Sequence, residues 1–265
     1  MPYRLSAVMY PAPALARAAL RAVLVIALWA GRAEAQAVVD DWDAQLWLQW
    51  NSQIPVAGTW SLVLEAQPRW NQNVDHFDQI VLRAGVLKRV TPKVQVGAAY
   101  AFVPRHTALG NLFEHQAYQQ VAFTLPRVGR WAPQVRVRED QRYLSQWGDL
   151  AHRVREQVRV TRPMPGARSW TLVLHQELFY NWDHTTLGPS PGWDQHRLFV
   201  GVQHPLTRDL AIETGYMWQD VFRLGVRPER QNHIAMFQFQ YRPRRDAGPR
   251  TAAALPVALV PTGTW

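Results

Sequence analysis

Two runs of arginine on alternate positions carry the most chemical information in this chain: Arg136, Arg138 and Arg142, then Arg153, Arg155 and Arg159. Alternate positions of an extended strand share a face. Neighbouring strands would therefore set these guanidinium groups against one another, and like charges opposed across a sheet destabilise it unless acids intervene. Asp140, Glu114, Glu177 and Glu213 are the acids on matching faces, and Arg197 is a further cation. A buried charge left without a partner costs several kcal/mol, so these residues are expected to form one charge network. It would act either as an internal ion-pair plug in a narrow space or as a positively charged vestibule that favours anions.

His175 and Glu177 also share a face, two residues apart, as a base with an acidic orienting group would. They are the weak catalytic candidates, for a deacylase-like or phospholipase-like reaction. Barrel enzymes that hydrolyse lipids set a His, a Ser and an acid or amide on the outer surface. No His-x-Ser pair exists here, and Ser61 and Ser169 fall near short turns, so a hydrogen-bonded pair inside the fold is the plainer expectation. His115, His152, His184, His196, His204 and His233 show no metal spacing, Asp183 with His184 offering at most a weak loop site. There is no glycine-rich phosphate loop and no nucleotide fingerprint. No metal and no cofactor are expected.

The elements that hold these residues read as strands. In residues 59–71, Trp60, Leu62, Leu64, Ala66, Pro68 and Trp70 alternate with Thr59, Ser61, Glu65, Gln67 and Arg69, the period of a half-apolar strand. Ten steps of about 3.3 Å, tilted by about 40°, place Trp60 and Trp70 about 25 Å apart along a barrel axis, the height of an outer-membrane apolar band. Residues 41–51 mirror this with Trp42 and Trp50, and the turn between the two is read as 52–58. Nine more segments alternate, up to residue 241. Loops alternate short and long, with 103–112 among the long ones, so strand one should run inward and strand eleven end in the periplasm. Eleven is an odd count; a twelfth strand in a poorly patterned segment is preferred over parallel closure. Glu139 and Glu156 fall on the nominal lipid face and are expected near an interface or turned inward by a bulge.

A soluble sandwich or lipocalin-like barrel would also alternate, with apolar residues inside. Three features favour the inverted arrangement. Tryptophans bracket the strands (Trp42, Trp50, Trp60 and Trp70, with Trp170 and Trp218 further along); Tyr100, Tyr180 and Tyr216 fall near long-loop ends; and the polar faces hold opposite charges.

Composition narrows the setting. Arg17 and Arg21 precede an apolar run at 22–30 and the small-residue site Ala33-Glu34-Ala35, so residues 1–35 read as a cleavable signal peptide. Its loss removes four Arg and one Glu and takes the net charge from +9 to +6. Export and the scattering of arginine over strand positions argue against a nucleic-acid partner. The chain has no cysteine, which excludes disulfides and thiolate metal sites. Residues 36–242 form the barrel domain, and 243–265 read as a disordered tail.

In order along the chain come Glu114-His115-Gln116-Ala117-Tyr118-Gln119-Gln120, Arg136-Val137-Arg138-Glu139, Glu177-Leu178-Phe179-Tyr180-Asn181, Asp194-Gln195-His196-Arg197-Leu198-Phe199-Val200-Gly201 and Glu213-Thr214-Gly215-Tyr216. This succession resembles the bacterial family called domain of unknown function 2490, over roughly residues 42–241. The resemblance implies an outer-membrane-type barrel of Gram-negative bacteria with no assigned activity.

The reading is thus a single all-β, antiparallel transmembrane barrel of ten to twelve strands in the outer membrane. It is either structural with a salt-bridged interior or a narrow, anion-tolerant, porin-like channel. The competing reading is a lipid-modifying barrel enzyme. Expected partners are outer-membrane lipids, the barrel assembly machinery and an unidentified anion or small molecule.

Overall fold

A chain that alternates over ten or more residues at a time satisfies its backbone by pairing every strand on both sides. The computed structural model describes residues 41–107, 110–145, 148–166, 169–183, 190–222 and 230–244. Residues 1–35, read above as a signal peptide, and nearly all of the 243–265 segment lie outside the described residues. Among those described there are eleven strands: β1 (Asp41–Ala57), β2 (Trp60–Asn71), β3 (His76–Thr91), β4 (Val94–Thr107), β5 (Gly110–Thr124), β6 (Ala132–Leu144), β7 (Asp149–Pro163), β8 (Thr171–Asn181), β9 (Gly192–Pro205), β10 (Leu210–Val221) and β11 (Arg230–Tyr241).

They close into one barrel in sequence order. The all-antiparallel expectation is corrected at a single seam, where β1 and β11 run parallel in unbroken register from Asp41↔Arg230 to Ser52↔Tyr241. No twelfth strand enters the barrel among the described residues. An odd number of hairpin-linked strands ends with the last pointing the same way as the first, and only a parallel ladder then joins them. Side chains reinforce this seam: Trp50 stacks on Phe239 and Tyr241, with centroids 6.1 and 6.4 Å away. Arg230 Nη2 donates to Asp43 across it at 2.9 Å.

Two turns are tighter than the sequence suggests. β1 runs to Ala57 and turns through Gly58 and Thr59, with Gly58 supplying the left-handed φ of 50°. The segment expected as a loop at 103–112 is mostly strand, as β4 continues to Thr107 and β5 begins at Gly110. The expected alternation of short and long loops is corrected: on the rim expected to carry only short turns, the β5–β6 and β7–β8 connections, 125–131 and 164–170, are longer than 72–75, 108–109 and 145–148 on the other rim.

The faces fall as the alternation predicts. Leu64 is 40% exposed and Val86 45%, whereas Arg136 and Arg155 are each 7% exposed and enclosed. Trp42, Trp50, Trp60 and Trp170 are exposed on the outside; Trp70 and Trp218 are half-buried. Inside, an apolar sector of Trp47, Val173, Phe199, Met217, Ile234 and Met236 packs against the β8–β11 and β1 walls. Phe199 lies over Gly201 and Gly215, where a Cβ would strike its ring and a neighbouring carbonyl oxygen.

Glu139 and Glu156 correct the expectation made for them. Register is continuous from β5 through β8, up to a shift at Phe179/Tyr180 on the far edge of β8. No bulge turns either acid inward, and both sit near mid-strand on the outer face. A bulge would have rotated Arg138, Asp140 and Arg155 away from one another. Instead Glu139 is satisfied locally: Gln119 and, at 2.8 Å, Gln141 donate to its carboxylate.

Because the Phe199 ring and a backbone carbonyl crowd the same spot, Gly201→Ala is expected to lower unfolding stability by about 1–3 kcal/mol. Urea midpoints followed by tryptophan fluorescence would read this, and an unchanged midpoint would contradict the described packing.

Candidate functional site

The other sector of the lumen is ionic. Inward positions of β6, β7 and β8 place two carboxylates among arginines from several strands. Glu177 accepts from Arg136 Nη2 at 3.0 Å, Arg155 Nη2 at 2.8 Å and Arg197 Nη1 at 3.4 Å. Asp140 accepts from Arg153 through Nε and Nη2 at 3.2 and 3.0 Å, and Arg155 Nη1 stands 3.8 Å away. Arg138 Nε is 2.6 Å from Asp140 Oδ1 but off the hydrogen-bond direction, since neither atom has a hydrogen-bond partner among the described residues. That contact is Coulombic. Arg142 pairs with Glu114, Arg83 with Glu65, and Arg153 reaches Asp194 at 3.3 Å.

Aromatic faces supply what the carboxylates do not. Arg155 and Arg197 each lie 4.5 Å from the centre of the Phe179 ring and Arg153 5.1 Å, while Arg138 sits 4.2 Å from Tyr118. Arg69 lies 3.8 Å over Trp47. A guanidinium over a ring face keeps its charge while losing water at reduced cost.

Toward the long-loop end of the lumen these groups surround a cavity of about 80 Å³, walled by Arg69, Arg83, Arg105, Arg142, Arg153, Arg155 and Arg197 with a single carboxylate, Glu114. A larger recess of about 390 Å³ opens among the short turns and reaches Gln203, Gln240 and Arg242. Between the two ends the interior is filled: Arg138, Arg159, Met217, Ile234, Glu213 and Asp140 are at most 1–2% exposed.

Every member of the expected charge network points inward. Arg136, Arg155 and Arg197 gather on Glu177, Arg138 and Arg153 on Asp140, and Arg142 on Glu114. Arg159 and Glu213 form a separate two-point pair, Nη1 to Oε1 at 3.0 Å, with Gln240 donating to the same carboxylate at 3.2 Å. His175 and Glu177 share a face without a hydrogen bond between them. His175 stacks on Phe199 with centroids 4.7 Å apart, and neither ring nitrogen has a partner among the described residues. The pair is enclosed, at 4% and 1% exposure, and turned away from the outer surface. His152 and Asp183 pair at the long-loop rim, 2.5 Å apart, and this hydrogen bond holds the Asp183 carboxyl below the usual carboxylate range. No group of three or more metal-ligating side chains occurs among the described residues.

Arg69, Arg83, Arg105, Glu65 and Asp194 were not assigned to the network from sequence. Glu65 and Arg83 sit directly opposite each other in the β2–β3 register, so pairing the hairpin residue by residue reveals that ion pair. Arg105 falls in the segment read as a loop.

With three cations on one carboxylate, Glu177→Gln leaves them facing one another. A loss of about 3–5 kcal/mol is expected, and the double variant with Arg155→Gln should recover part of it. Equilibrium unfolding of both variants checks this; a neutral Glu177→Gln would remove its role as a hub.

Comparison with known proteins places this geometry in a family. Residues 44–229 match the model described as protein of unknown function (DUF2490). An uncharacterised protein of Methylorubrum extorquens is 30% identical over 207 residues, covering 76% of this chain and 87% of the relative. The apolar-out, charge-in barrel described above is thus the form taken here by a member of the DUF2490 family, to which the chain belongs.

Proposed function

We propose that this protein is an outer-membrane β-barrel, closed at rest, whose salt-bridged interior makes it a structural membrane element rather than an open pore. The observation that carries the reading is the inversion of polarity: Trp42, Trp50, Leu64 and Val200 are exposed while Arg138, Asp140, Glu177 and Glu213 are enclosed. A soluble barrel places these classes the other way round. In hydrocarbon the same arrangement satisfies both faces, and barrel closure leaves no backbone edge unpaired. Outer-membrane lipids and the barrel assembly machinery are its partners on this reading, and the N-terminal segment is its export signal.

The filled middle of the lumen supports a closed state over a porin-like one. A narrow anion path is the second reading, favoured by the excess of arginine over carboxylate around the long-loop cavity. A lipid-modifying enzyme is less supported, because His175 and Glu177 face inward, away from any acyl chain.

Purified protein in planar bilayers is expected to give no steady current, and cell fractionation should place it in membranes until detergent is added. A steady anion-selective current would replace the closed reading with the channel. Recovery in the soluble periplasmic fraction would sink the membrane reading. Within lipid vesicles, Glu156→Leu removes an outward carboxyl from mid-strand and is expected to raise stability by about 1 kcal/mol or more; destabilisation would show that this patch does not face lipid.

A further inference from the structure

We propose that the cavity near the long-loop end is a binding site for a small tetrahedral oxyanion of the phosphate class. Seven guanidinium groups line it, those of Arg69, Arg83, Arg105, Arg142, Arg153, Arg155 and Arg197; with Arg136 and Arg138, which join the same ion-pair network behind them, nine cations stand against five carboxylates, Glu65, Glu114, Asp140, Glu177 and Asp194. Nine against five leaves four positive charges in excess, or three if Asp78, 4.0 Å from Arg105, is included. Arginine does not shed its proton to relieve such repulsion.

Neutral amides, not acids, aim two of these cations, and a third amide shares Arg197 with Glu177. Gln67 Oε1 accepts from both Nε and Nη2 of Arg69, at 3.1 and 2.5 Å. Gln79 Oε1 accepts from the same two atoms of Arg105, at 2.9 and 2.7 Å, and Gln195 Oε1 from Arg197 Nη2 at 2.9 Å. An amide oxygen fixes the direction of a guanidinium without cancelling its charge. A carboxylate at these positions would have done both. Oriented forks with a surplus of positive charge around one polar space are what bidentate recognition of an oxyanion requires. A cavity of about 80 Å³ has room for one such ion with little water.

This site goes beyond the closed-barrel reading and does not rest on it, because the inward faces define the cavity in any solvent. Free inorganic phosphate and the phosphate of a lipid headgroup present the same chemistry.

The test is thermal unfolding of the full-length protein in detergent, titrated with sodium phosphate and, at matched ionic strength, with sodium chloride. The expected result is a saturable rise in midpoint with phosphate that chloride does not produce. In the double variant Arg69→Gln and Arg105→Gln the phosphate-induced rise should vanish, while the midpoint without phosphate stays level or rises as repulsion is relieved. A purely structural pair of arginines would instead lower that midpoint. If the variant does not fold, line broadening of the phosphate 31P resonance by the unaltered protein, competed by excess unlabelled sulfate but not by chloride, supports the site, and an unbroadened line overturns it. Repeating the titration with dihexanoyl phosphatidic acid separates the sources: a rise at lower concentration than phosphate assigns a headgroup, and a rise with phosphate alone assigns the free ion. Equal responses to phosphate and chloride, or an undiminished response in the variant, would overturn the site. Either failure leaves the silent-bilayer result for the closed barrel unaffected.

Discussion

Opposed guanidinium groups inside a narrow ring of strands must be reconciled, and the structure does so by sharing two carboxylates. Glu177 and Asp140 each collect several arginines, and Phe179 and Tyr118 take charged planes on their faces. The sharing works because β6, β7 and β8 keep their common register through the network. Apolar bulk from Phe199, Met217, Ile234 and Met236 fills what the ions leave on the opposite wall. The barrel interior therefore resembles two half-cores set side by side, one held by packing and one by ion pairs.

What the sequence disclosed follows from the range over which each signal acts. Inward and outward faces need only the period of two, so Leu64, Arg136 and Trp60 are legible from a few neighbours. The arginines of β6 and β7 stand out because they are dense and adjacent in the chain. Their partners are harder to read. Arg159 meets Glu213, 54 residues on, and Arg153 meets Asp194, 41 residues on. Neither pair lies on neighbouring strands, so only the curvature of the closed wall brings them together. Arg105 escaped for a simpler reason, as it falls in the 103–112 segment read as a loop, where a strand continues. Strand parity was read as a defect to be repaired with a twelfth strand, whereas the ladder between β1 and β11 accommodates it directly.

The outer face is not uniformly apolar. Gln119, Glu139, Glu156 and Gln176 occupy outward positions near the middle of four consecutive strands; Gln176 is covered by its neighbours, and neither of its amide atoms is bonded among the described residues. Polar groups at mid-height on an outer wall are expensive wherever hydrocarbon touches them. The unbroken register that aligns the lumen sets which positions face outward, so these four residues stay on the outer wall with no bulge to turn them in.

Closing the sheet with parallel end strands also decides where the chain enters and leaves. β1 starts at the long-loop rim and β11 finishes at the short-turn rim, so the two ends of the folded wall open onto opposite sides. An even-stranded barrel returns both ends to the compartment it came from. In a bilayer, an eleven-stranded one obliges one terminus to be carried across during insertion, and the seam forms only after strands from the two extremes of the wall have met with the same heading.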